Sequence, residues 1–297
     1  MKRLSMLTDP RVAALYSGVP PAELEELEAF LAAHPYRFLT LDGVEWGYIA
    51  TEPRGDDLLL LSGALGAPEV SWKTLTALAK SFRVIAPEYP PVESMDALVD
   101  GIAAILRREN VARAHVLGGS YGGFVAQVFV RRHAALARSL VLSHTLPPNP
   151  ASGKKLRKLV RWFALLPQGM LLWMMGRRLS GLLPKETPET AALHAITREM
   201  LRFRLTKADL LALLRRTVDF GTREFAPGDL EDWQGKTLLL LADDDPGTPA
   251  AVRAQLQALY PDAKLHLFHG SGHATAILRQ EEYLAVVEEF LRTSALR

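Results

Sequence analysis

Residues 58–61 are leucine at every position, with none of the apolar and polar alternation of a strand that shows one face to water. A run of that kind fits a strand buried on both faces of a parallel sheet. Short β-capable segments recur at residues 83–86, 111–117, 139–143, 237–242 and 264–268. Between them lie segments with helical character, at 71–80, 94–108, 124–133, 249–259 and 276–291. In the second of these, Leu98, Ile102 and Ile105 share one face. Strand and helix in regular alternation predict a mostly parallel sheet with helices on both faces. Upstream, Pro21–Ala33 carries leucines and Phe30 at helical spacing on an acidic background, with Pro21 near the first turn. Arg37–Leu41 and residues 44–51 flank Asp42-Gly43, a hairpin signal, and supply the first two strands.

The alternation stops for about ninety residues after 145, where only helical patterns and breakers occur. Residues 154–166 set basic side chains on one face and Leu156, Val160 and Phe163 on the other, and Pro167-Gln168-Gly169 ends the pattern. Residues 170–175 are apolar all round. Thr187 and Thr206 read as helix N-caps, Thr206 with Asp209 three residues on as a capping-box variant. The expected organisation is therefore one α/β core of about eight strands, residues 1–145 and 234–297, interrupted by a helical cap at 146–233.

The candidate chemistry sits where residues 111–117 meet a glycine-rich turn. Gly118-Gly119-Ser120-Tyr121-Gly122 has the form G-x-S-x-G, a strand-to-helix elbow whose strained turn lifts a serine hydroxyl clear of the sheet. A phosphate-binding loop is the competing reading, but the glycine spacing does not fit G-x-G-x-x-G and no GK[ST] follows. A serine hydroxyl becomes nucleophilic only with a neutral imidazole in reach and a carboxylate to orient it. Between Glu109 and Glu186 there is no carboxylate, so the strand ending at Ser143 cannot supply the acid; the next strand end carries Asp243-Asp244-Asp245. His273 lies in the loop Gly270-Ser271-Gly272-His273-Ala274 after the last strand. Of the other histidines, His115 and His266 lie within strands, His133 at a helix end, His34 and His194 on peripheral helices, and His144 and His269 near strand ends.

These features together resemble the α/β-hydrolase superfamily over nearly the full chain. Ser62-Gly63 stands where that family has His-Gly, residues 84–88 stand for its strand-four segment, Ala242 to Asp245 for Gly-x-x-Asp, and Gly272-His273 for the base loop. The resemblance implies the triad Ser120, Asp245 and His273, with Asp243 and Asp244 as near-solvent acids or second choices. It implies an oxyanion hole of the backbone N–H groups of Tyr121 and Ala64. Tyr89-Pro90-Pro91 and Leu259-Tyr260-Pro261 locally resemble maspardin and its bacterial relatives, a protein-binding branch without a complete triad, and His273 speaks against that reading. Leu65, His144, Trp162, Phe163, Trp173 and Met174 are the candidate substrate contacts; packing of cap on core is the other reading of the apolar ones.

The 297 residues contain no cysteine and no H-E-x-x-H, so neither a disulfide framework nor a metal is expected, and no cofactor is implied. There is no 18-residue apolar run, and residues 1–7 are too short for a signal peptide, which makes the cytoplasm the expected compartment. A net charge of +2 is too small to argue for nucleic acid. Its distribution is uneven: Lys154, Lys155, Arg157, Lys158 and Arg161 fall within eight residues of the acid-free window. Weak peripheral contact with anionic membrane is one expectation from that run, a solvated basic face the other. The resulting expectation is a monomeric or weakly dimeric serine hydrolase of carboxylic esters with an apolar acyl or alcohol part. A C–C bond hydrolase with the same triad and a maspardin-like binding module are the alternatives.

Overall fold

The computed structural model of the protein describes residues 9–294; the signal-peptide reading of residues 1–7 lies outside them. Eight strands form one sheet: β1 Arg37–Leu41, β2 Val44–Ala50, β3 Asp57–Leu61, β4 Arg83–Pro87, β5 Ala114–Gly119, β6 Ala137–Ser143, β7 Lys236–Ala242 and β8 Lys264–Phe268. Their order is β1-β2-β4-β3-β5-β6-β7-β8. The pairs β1·β2 and β2·β4 are antiparallel and the rest are parallel.

Successive side chains of a strand point to opposite faces, and here both faces are covered. Leu58, Leu60, Leu238 and Leu240 pack into one core with Leu75, Val287 and Phe290. Leu59, Leu61, Leu239 and Leu241 pack into the other with Ile102, Val125 and Phe129. That is why the leucine runs show no alternation. The strand expected from residue 111 starts only at Ala114, because the preceding helix, Met95–Arg108, closes over those residues. Asn110 takes φ 58°, its N–H donates to Arg107 and that of Val111 to Leu106, a left-handed helix stop that asparagine tolerates.

Between β6 and β7 the chain is helical: Pro150–Phe163, Gln168–Ser180, Ala191–Glu199 and Lys207–Gly221 are its main elements. The Thr206 and Asp209 side chains cap each other's backbone as the spacing predicted. The first and last of these helices cross at Gly153 and Gly221, where a Cβ on Gly153 would press on the Gly221 backbone. The last one is tied to the sheet domain: Phe220 stacks on Phe124 at 4.3 Å, and Asp219 accepts the N–H of Met95 at 2.7 Å.

Candidate active site

Every residue of the expected triad follows the C-terminal end of a parallel strand, and the register aligns those ends. Leu61 lies beside Gly118, Gly119 beside Ser143, Ser143 beside Leu240 and Ala242 beside Phe268. Such an edge is where open α/β sheets gather their ligands. Ser120 stands on it at φ 52°, ψ −119°, between β5 and the helix Tyr121–Arg132. A non-glycine residue holds that conformation only when its surroundings over-determine it. The Ser120 N–H donates to the Ser143 carbonyl at 2.9 Å, and its carbonyl accepts from Thr145 Oγ1 at 2.8 Å. A Cβ on Gly118 would run into the Gly122 carbonyl, and one on Gly122 into that of Leu61. Both outer glycines of the elbow are thus required by close backbone approach.

His273 Nε2 lies 3.0 Å from Ser120 Oγ, and Nδ1 lies 2.9 and 3.0 Å from the two Asp245 oxygens. Asp245 is 2% exposed and also accepts from the Gly247 N–H at 2.7 Å and the Thr248 hydroxyl at 2.9 Å. Burial alone would favour its neutral form. The hydrogen bond and charge of His273, with the Gly247 and Thr248 donors, outweigh that and hold the carboxyl below its ordinary range. An ionised Asp245 fixes Nδ1 as the protonated nitrogen and leaves Nε2 free to accept from Ser120.

The two neighbouring aspartates hold the histidine loop rather than the imidazole. Asp243 meets His269 Nδ1 at 2.6 Å and the Gly270 N–H at 3.2 Å, while Asp244 accepts from the N–H groups of Ser271 and Gly272. These roles rest on pairings 26 to 28 residues apart, which the sequence pattern does not display.

Neither the Tyr121 nor the Ala64 N–H makes a turn, loop or cap hydrogen bond among the described residues. Both are available to a negatively charged oxygen, with the N-terminus of helix Tyr121–Arg132 behind Ser120 adding partial positive charge. The loop carrying Ala64 is pinned by three bonds: Gly66 N–H to Gly63, Tyr89 N–H to Gly66, and Tyr89 Oη to the Ser62 carbonyl at 2.9 Å. Tyr89 therefore supports, through its hydroxyl, a loop that has Ser62 in place of the usual histidine.

The expected substrate contacts divide. Leu65 is buried at 5% exposure in the same loop. Phe163 packs against the core and Met174 is half-buried. Trp162 and Trp173 are corrections: they are 70% and 61% exposed, turned mostly to solvent. Val160 and Leu171 turn inward, and a residue two positions further along a helix emerges on the opposite side. His144 is also corrected, since it is buried with both ring nitrogens engaged, Nδ1 with Ser143 Oγ at 2.9 Å and Nε2 with Thr275 Oγ1 at 2.7 Å. Its ring centroid lies 5.9 Å from that of His273, so it packs against the histidine loop.

Among curated proteins the chain is similar to proline iminopeptidase of Lactobacillus helveticus, 24% identical over 224 residues, covering 70% of this chain and 75% of the relative. It is 27% identical over 239 residues to the putative carbamate hydrolase RutD of Serratia proteamaculans, covering 76% and 87%. A solved hydrolase from Pseudomonas aeruginosa superposes with a TM-score of 0.72 at 20% identity, covering 86% of this chain and 98% of that one. The family model described as "Alpha/beta hydrolase family" matches residues 58–288, and the chain belongs to that family.

Proposed function

We propose that the protein is a serine hydrolase that cleaves carboxylic esters with an apolar acyl or alcohol part through an acyl-enzyme. The observation that carries this reading is the continuous relay from Asp245 through His273 to the half-exposed Ser120, with 2.9 to 3.0 Å at each step. In the reaction, Ser120 Oγ attacks the ester carbonyl as His273 Nε2 takes its proton. The oxyanion is received by the Tyr121 and Ala64 N–H groups. His273 returns the proton to the departing alcohol, and a water deprotonated by the same nitrogen releases the acid. Asp245 stays ionised throughout and stabilises the imidazolium. The helices between β6 and β7 act as a cap over this edge, and residues 146–233 form that inserted unit.

Cleavage of a C–N bond is the second reading, supported by similarity to an iminopeptidase and a carbamate hydrolase. A panel of p-nitrophenyl esters of graded acyl length, proline p-nitroanilide, a carbamate and a vinylogous 1,5-diketone separates the ester, C–N and C–C readings by kcat/KM. A fluorophosphonate probe should label Ser120. Folded protein that resists the probe would favour a binding module of the maspardin kind.

A further inference from the structure

The helix Pro150–Phe163 turns Gly153 and Val160 inward and leaves Lys154, Lys155, Lys158 and Arg161 exposed. Trp162 emerges among them: Lys155 and Lys158 precede it by seven and four residues, on the same stripe of the helix. It is 70% exposed, and Leu165, in the turn that follows, is 75% exposed. The next helix, Gln168–Ser180, repeats the arrangement with Met170 and Trp173 exposed and the Arg177 guanidinium 5.3 Å over the Trp173 ring.

We propose that this outer face, which carries Trp162, docks the protein peripherally onto anionic lipid bilayers. Three observations favour that occupant. None of Lys154, Lys155, Arg157, Lys158 and Arg161 has a carboxylate partner among the described residues, and Glu186, the first carboxylate after the run, pairs with Arg198 at 2.9 Å. A merely solvated basic face has no use for an exposed tryptophan and leucine directly following its lysines, whereas an interfacial helix combines the two. A second copy is disfavoured, because a two-fold contact through this face would oppose like charges. Within the run Arg157 also donates to Thr222 Oγ1, at 3.2 Å. No helix among the described residues is long and apolar enough to cross a membrane, so the contact is with the surface.

Co-sedimentation with phosphatidylcholine vesicles, with and without phosphatidylglycerol, tests this directly. The protein should pellet only with the anionic vesicles, and its partition coefficient should fall by about tenfold or more between roughly 0.05 M and 0.5 M salt. Lys154→Glu/Lys158→Glu should lower binding by about tenfold with circular dichroism and hydrolytic activity unchanged. Trp162→Ala should lower it further and remove a vesicle-induced blue shift in emission. Equal, negligible pelleting on both vesicle types at low salt overturns the proposal. So does anionic binding unaffected by either variant, or a stable dimer, lost in Trp162→Ala, that ignores vesicles.

Discussion

Asp244 Oδ1 accepts the backbone N–H of Gly272 at 2.9 Å, so the carboxylate beside Asp245 fixes the chain immediately before His273. The three consecutive aspartates then act at different depths. Asp245 orients the imidazole, Asp244 positions the backbone that carries it, and Asp243 anchors the outer turn at Gly270. Asp245→Asn should lower kcat on the order of 10³- to 10⁴-fold, through the wrong imidazole tautomer. Asp244→Ala should cost about a hundredfold at most, through misplacement of His273, and Asp243→Asn least. A steady-state series on one ester reads the order. A larger loss in Asp243→Asn than in Asp245→Asn would overturn it.

Ser120 sits at φ 52°, a conformation that costs a non-glycine residue about 1 to 3 kcal/mol. Ser120→Gly removes the strain along with the hydroxyl. The variant should unfold at higher urea, by about 1 kcal/mol after allowing for glycine's freer unfolded chain, and should fail to react with a fluorophosphonate.

Much of this site is legible in the sequence because its demands are local. Gly118 and Gly122 are dictated by backbone collisions within one turn, and Ser120, Asp245 and His273 each follow a recognisable strand. The unalternated leucine runs likewise declare a sheet covered on both sides. What escapes is set by contacts between distant segments. Tyr16 Oη reaches the fully buried Glu199 at 2.8 Å across 183 residues, and the Met200–Arg204 π-turn beside it has no local signature. Trp162 and Trp173 are apolar and lie in the helices between β6 and β7, yet which side of a helix they take depends on where Gly153 and Leu171 find close packing.

Acid should destabilise the fold through two buried histidines. Burial, and then the charge of His273, push His144 down to about 4, and burial also lowers His115. Above the ordinary histidine value near 6.5 both folded and unfolded chains are neutral there, and pH has no effect through these rings. Below it the unfolded chain binds protons that the native state refuses, so stability falls from about pH 6.5 down to about pH 4. His144 alone accounts for on the order of 3 kcal/mol of that fall. Urea midpoints measured across this window should show a shallower slope in His144→Gln than in the parent, whatever the variant's stability at neutral pH. Identical slopes would count against the burial argument.

Arg216 supplies the last test, because it is a cation at 2% exposure with no ion pair among the described residues. Its Nη1 donates to the Pro90 carbonyl at 2.8 Å, its Nε has no partner, and its guanidinium lies 6.0 Å from the Tyr121 ring. A cation–π contact at a desolvated site returns about 2 kcal/mol, less than the several kcal/mol that burying an ion costs. Replacing the side chain with an apolar one of similar length should therefore be neutral or favourable. Arg216→Met should match or exceed the parent's urea midpoint, while Arg216→Ala, which leaves a cavity beneath the helix Lys207–Gly221, should fall below it by about 2 kcal/mol or more. If Arg216→Met is as damaging as Arg216→Ala, the guanidinium itself, through Pro90 and Tyr121, holds the inserted helices on the core.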